Sequence, residues 1–120
     1  MSLSYRSTRP LPVISQVGIA ASGNSGDLAV DGFDQLALDV NVSALTGTSP
    51  SVTFVLNRKG ADGVYYPIWT SAAQTAVGKL STSAGISAPI NHCVGSVMRL
   101  DWTVAGTSVS LTFTASLIGK

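Results

Sequence analysis

Apolar and polar residues alternate with a period of two along most of the chain. Leu36, Leu38, Val40 and Val42 are interleaved with Ala37, Asp39, Asn41 and Ser43, and Val52, Phe54 and Leu56 with Thr53, Val55 and Asn57. The same rhythm returns late in the chain. Met98, Leu100, Trp102 and Val104 alternate with Val97, Arg99, Asp101 and Thr103, and Val109, Leu111, Phe113 and Ala115 with Ser110, Thr112, Thr114 and Ser116. Successive side chains on a strand point to opposite faces, so each run predicts a half-buried β-strand. Apolar stretches at 13–21, 28–30, 64–70 and 78–82 predict further strands. Pro67 marks its stretch as an edge strand or a bulge, because proline has no N–H to give to a neighbouring strand.

Turn signals separate these runs: Ser22-Gly23-Asn24-Ser25-Gly26, Asp31-Gly32, Thr46-Gly47-Thr48-Ser49-Pro50 and the polar loop Arg58-Lys59-Gly60-Ala61-Asp62-Gly63. Residues 72–95, rich in Ala, Ser and Gly, read as a long connection holding the strand near Gly78. Seventeen Ser, eleven Thr, twelve Gly and the absence of Glu all oppose helix. Short strands with glycine turns at roughly ten-residue spacing point to an all-β fold, an antiparallel β-sandwich of Ig-like or jelly-roll-like type. Residues 13–120 form that single domain. Residues 1–12 have no period and end in Pro10-Leu11-Pro12, which keeps them out of helix and predicts an extended N-terminal arm.

The sequence also repeats itself. Gly47-Thr48-Ser49-Pro50-Ser51-Val52-Thr53-Phe54 matches Gly106-Thr107-Ser108-Val109-Ser110-Leu111-Thr112-Phe113 at six of eight positions, with an offset of 59. Each copy follows an alternating run that begins Leu-Asp, at Leu38-Asp39 and Leu100-Asp101. Glycine tolerates a positive φ and the hydroxyls can bond turn backbone, so both copies predict a hairpin of the same chemistry.

Composition narrows the functional classes. Charged residues are 11% of the chain, against about 25% in an average soluble protein. The net charge is +1, which gives no general pull toward nucleic acid or an anionic membrane. The exterior must therefore be built largely from Ser, Thr, Asn and Gly. Few ions need desolvating when such a surface is covered by another protein, which favours an assembled state. The uncharged window 102–119 carries a hydroxyl at every second position over much of its length, so it reads as strand and not as an apolar membrane span.

Catalytic and metal-binding patterns are weak. The single His92 neighbours the single Cys93, but adjacent strand residues face opposite ways, so a Cys-His dyad is not expected. No Gly-x-Ser-x-Gly elbow and no phosphate-binding glycine loop occurs. Asp27, Asp31 and Asp34 share a glycine-containing loop without the Asp-x-Asp-x-Asp-Gly spacing of a calcium loop, and read as turn formers. No enzyme activity, cofactor or metal is expected. The best binding patch is Arg58 and Lys59 with Tyr65, Tyr66 and Trp69, cations beside aromatics. Strict alternation would put Val64, Tyr66 and Ile68 on one face and Tyr65, Pro67 and Trp69 on the other.

The run Thr46-Gly47-Thr48-Ser49-Pro50-Ser51-Val52-Thr53-Phe54, then Gly60-Ala61-Asp62-Gly63-Val64-Tyr65-Tyr66, then Leu100-Asp101-Trp102-Thr103-Val104-Ala105-Gly106-Thr107-Ser108, resembles small virion proteins of tailed bacteriophages. The likeness spans roughly residues 15–117 and is greatest to capsid decoration (cement) or minor head proteins; the loop 58–63 is shorter and more basic than in that pattern. The resemblance implies a non-enzymatic β domain, commonly trimeric, made in the host cytoplasm. It would sit on the virion's capsid surface and bridge subunits of the major capsid protein, many weak copies adding up through multivalency. Within it, Tyr5, Arg6 and Arg9 of the arm are the expected anchors, since Tyr and Arg dominate interface energetics. A tail or fibre component and a carbohydrate-binding β-sandwich using Tyr65 and Trp69 are the competing expectations.

Overall fold

The computed structural model describes residues 9–10, 13–30, 36–81 and 97–119, and the account below concerns these. The strands are β1 (Arg9–Pro10), β2 (Ile14–Ile19), β3 (Gly23–Asn24), β4 (Leu28–Ala29), β5 (Leu36–Lys59), β6 (Tyr65–Thr70), β7 (Gly78–Ser81) and β8 (Val97–Gly119). Among the described residues there is no helix, and the protein is all-β. All pairings between named strands are antiparallel, in one open eight-stranded sheet. β5 and β8 run side by side through its middle. β1, β2, β3 and β4 follow one another along the outer edge of β8, and β7 and β6 line the outer edge of β5.

Two expected hairpins are absent. Thr46–Pro50 and Gly106–Ser108 do not reverse the chain; they lie inside β5 and β8, each one strand where the sequence predicts two. The two copies of the repeat face each other across the ladder, with Thr48 paired to Thr107, the same position of the two copies. Gly47 and Gly106 have φ of 129° and 117°, and Ser49 and Ser108 have φ of 48° and 52°. The ladder shifts register on both sides of Thr48. A β-carbon on Gly47 would stand 2.8 Å from the Thr107 carbonyl oxygen, and one on Gly106 would stand 2.7 Å from that of Ser49. The repeated Gly-Thr-Ser is therefore a double kink. Two antiparallel strands can bend sharply at one level only if both break their ladder there, so the same chemistry is needed twice.

The flanking chain shows how sharp the bend is. Ile19 pairs with Leu111 and Gly23 with Trp102. Four residues reach at most about 14 Å, whereas the nine residues of β8 that they skirt would cover about 30 Å if straight. The other edge has a similar shortcut: β6 joins β5 at Val55 and β7 joins it at Val42, and midway Val52 and Gln74 exchange backbone hydrogen bonds of 2.9 and 2.8 Å. Residues 20–22 and 71–77 thus act as straps across the fold. Bending turns the apolar faces of the two halves toward each other. Leu36, Leu38, Val40, Val42, Leu111, Phe113, Ala115 and Leu117 come from one half, and Val52, Phe54, Leu56, Met98, Leu100 and Trp102 from the other; all are buried. Phe54 and Phe113, equivalent in the repeat, meet edge-to-face with centroids 5.0 Å apart, and Trp102 meets Phe113 at the same separation. The preferred geometry of such ring pairs adds to the burial of their area.

Candidate functional site

The end of the sheet that carries Lys59 and Tyr65 holds the densest cluster of charged and aromatic side chains described. Lys59 closes β5 opposite Tyr65 of β6, and Asn57 sits opposite Arg99 of β8. Alternation places Lys59, Asn57, Tyr65, Arg99 and Asp101 on the outward face, away from Leu56 and Leu100. Asp27 arrives from the connection between β3 and β4. That connection is pinned to β8 because the Ser25 N–H donates to the Leu100 carbonyl at 2.8 Å and the Leu100 N–H donates to Ser25 Oγ at 3.0 Å.

The contacts form a closed network. The Tyr65 hydroxyl donates to Asp27 Oδ1, and Lys59 Nζ donates to Asp27 Oδ2 at 3.1 Å. The Arg99 guanidinium lies 3.7 Å from the centre of the Tyr65 ring and pairs in a fork with Asp101, Nε to Oδ1 at 2.8 Å and Nη2 to Oδ2 at 3.0 Å. Two cations and two carboxylates cancel. The Tyr65 hydroxyl and, after it, Lys59 hold the Asp27 carboxyl below its ordinary value, and Asp27 in turn raises Lys59. The fork with Asp101 raises Arg99. This chemistry ties four chain segments together: the β3–β4 connection and strands β5, β6 and β8. Beneath it lies Asn57, 5% exposed, with an Nδ2 that has no hydrogen-bond partner among the described residues.

The expected binding patch is divided. The ladder between β5 and β6 slips one residue, from Asn57 opposite Pro67 to Leu56 opposite Trp69. Pro67 thus marks both an edge strand and a bulge, and the bulge inverts the phase beyond it. Tyr65 faces outward under Arg99, while Trp69 packs against the core with Ile68. The two rings expected to share a face do not, and no stacking platform for a sugar forms from them. Arg58, opposite Tyr66, stands on the other face from Lys59. Tyr66 stays with its own loop. Its hydroxyl donates to Asp62 Oδ2 at 2.6 Å, and Asp62 Oδ1 accepts the Val64 N–H at 3.0 Å. The Asp62 carboxyl is lowered chiefly by Tyr66, whose own hydroxyl is raised by Asp62.

Of the arm residues, Tyr5 and Arg6 lie outside the described residues, as do His92, Cys93, Asp31 and Asp34. The backbone of Arg9 pairs with Gly119, so that part of the segment 1–12 is a sheet strand. Asp27, Arg99 and Asp101 complete the cluster without having been singled out as binding residues. Arg99 and Asp101 carried a usable signal, opposite charges two apart on an alternating strand; nothing in the sequence pairs Asp27 with Tyr65. No family model, no curated protein and no solved structure matches this chain.

Proposed function

We propose that the protein is a structural component of a bacteriophage virion, a capsid decoration (cement) protein that binds the major capsid protein and bridges its subunits. We read the folded-over sheet as a β-sandwich, a reading supported by the meeting of Phe113 with Phe54 and Trp102 across the bend. The observation that carries the function is an exterior with little charge on which apolar side chains stand open. Val13 and Val17, at and within the edge strand β2, are 60% and 76% exposed, and no residue of Ile14–Ile19 is charged. Such an edge can be buried against protein without stripping water from ions. The cluster around Tyr65 supports the same reading, because its aromatic face and its charges are already engaged within the fold. A homo-oligomer, a trimer in the resemblance, would multiply a weak contact of this kind.

The test is co-sedimentation of the purified protein with capsid shells, by itself and with two changes. The double substitution Val13→Asp and Val17→Asp, and separately deletion of residues 2–12, are each expected to leave the domain folded and to abolish or sharply weaken attachment. Attachment unaffected by both would remove the edge and the arm as contacts, and no attachment of the unaltered protein would overturn the function.

A further inference from the structure

A second surface, unconnected with the cluster at Tyr65, has the makings of a ligand site. Where β7 joins β5, and β5 joins the last part of β8, the outward residues form two cross-strand rows. Ser81, Asp39 and Ser116 make one row, and Lys79, Asn41 and Thr114 the other. These six, together with Val40 and Leu80, line a depression of about 490 Å³, within the roughly 300–1,000 Å³ common for small-ligand sites. The pairing is regular through Asp39–Val42 on both sides, so the rows sit on backbone without a bulge. Neighbours across a row are about 5 Å apart and neighbours along a strand about 7 Å, by ordinary sheet geometry. These spacings are on the scale of one sugar ring.

We propose that this depression binds a neutral polyhydroxylated ligand, a saccharide of short length. Charge selects that class. Among the described lining residues one carboxylate and one ammonium share the site, so a singly charged ion meets one attraction and one repulsion. It has no net electrostatic advantage over a neutral ligand, which also has no ionic hydration to lose. Hydrogen-bonding capacity selects it too. Asp39 only accepts and Lys79 only donates, while Asn41 and the hydroxyls of Thr114 and Ser116 do both. Vicinal hydroxyls present the same mixture of donors and acceptors. No aromatic ring among the described residues lines the depression; what they offer is hydrogen bonding without stacking, for which affinity for one ligand is weak, on the order of millimolar. Many copies on one particle would raise it by avidity, but the inference does not depend on the capsid reading.

The experiment is a titration of the isotope-labelled full chain, followed by amide shifts in nuclear magnetic resonance. The probes are short neutral glucans, mannans and N-acetylglucosamine oligomers, with inorganic phosphate and a sulfated polysaccharide as anionic arms. At least one neutral class is expected to shift amides at 39–41, 79–81 and 114–116. Asp39→Ala and Asn41→Ala should each weaken that binding at least about tenfold with other amide positions unchanged, and Tyr66→Ala should leave it unaltered. Shifts from the anions alone, shifts centred elsewhere, or none with any neutral oligomer would overturn the proposal. Capsid attachment is measured on Asp39→Ala in parallel, so the two readings fail separately.

Discussion

Replacing Gly106 by alanine tests the bend directly. Gly106 has φ of 117°, and an added β-carbon would lie 2.7 Å from the Ser49 carbonyl oxygen and 3.0 Å from that of Thr48. Two costs follow. Holding an L-residue at positive φ costs about 1–2 kcal/mol. Overpacking against backbone that belongs to the opposite strand adds about 1–3 kcal/mol, because those carbonyls cannot retreat without disturbing the kinked ladder. Alanine recovers about 0.4–1 kcal/mol by restricting the unfolded chain. The net expectation for Gly106→Ala is a loss of about 2–4 kcal/mol, or a melting temperature lowered by about 4 °C for each kcal/mol in a domain of this size. Two controls separate the costs. Gly63 has φ of 82° with nothing within 4 Å of the added carbon, so Gly63→Ala carries only the conformational cost, about 1 kcal/mol after the same recovery. Gly78 has neither feature, and Gly78→Ala should fall within about 0.5 kcal/mol of the parent. Urea denaturation at equilibrium with a shared m-value reads all three. If Gly106→Ala costs no more than Gly63→Ala, the two strands do not approach as described and the reasoning about the double kink fails.

Phe113→Ala, which removes the ring that joins both halves, should cost about 3–5 kcal/mol and exceed the cost of Trp69→Ala, a partly buried ring at the core's margin; the reverse order in urea denaturation would contradict the packing. Asp27 has a folded pKa below its unfolded one, so its contribution is complete above about pH 4 and fades as pH falls through the folded value. Asp27→Asn should therefore show a flatter decline of the urea midpoint between pH 6 and pH 2 (approximate limits chosen around the carboxylate range) than the parent, and parallel declines would refute the network's role. Asn57→Leu, which removes a buried Nδ2 without a hydrogen-bond partner among the described residues and keeps the branching of the side chain, should raise stability by about 1 kcal/mol by the same assay; a marked loss would mean that the amide is engaged or that the site has no room for the larger methyl groups.

Much of the sheet was legible because its signal is local. The period of two around Leu38, Phe54, Leu100 and Phe113 names the buried faces correctly, since alternation requires only a strand with one dry side. Pro67 announced its bulge and its edge through a missing N–H. The reading failed at Gly47 and Gly106. A glycine followed by hydroxyl residues looks the same whether the chain reverses or bends and continues, and the distinction depends on which strand lies alongside. The repeat held the clue, for two identical kinks at one level of a paired ribbon need identical residues. The patch at Tyr65 and Trp69 failed for a related reason. A single bulge at Ile68 turns every later side chain over, and no residue at 65–70 states on which side of it the register is kept. The Asp27–Tyr65 contact joins residues 38 apart in sequence, and only the fold brings them together.

The straps bear on how copies of this protein behave together. A long two-stranded ribbon with a flexion point in its middle is a natural candidate for domain exchange, in which two molecules straighten and each packs its first half on the other's second. Here residues 20–22 are too short for that. A straightened ribbon would separate the partners of Ile19 and Gly23 by about twice the reach of the intervening chain, so either β2 or β3 would have to leave the sheet. Molecules crowded at high local concentration are thereby held as separate folded units. Association between them is confined to outside surfaces, which can be made and undone without unfolding.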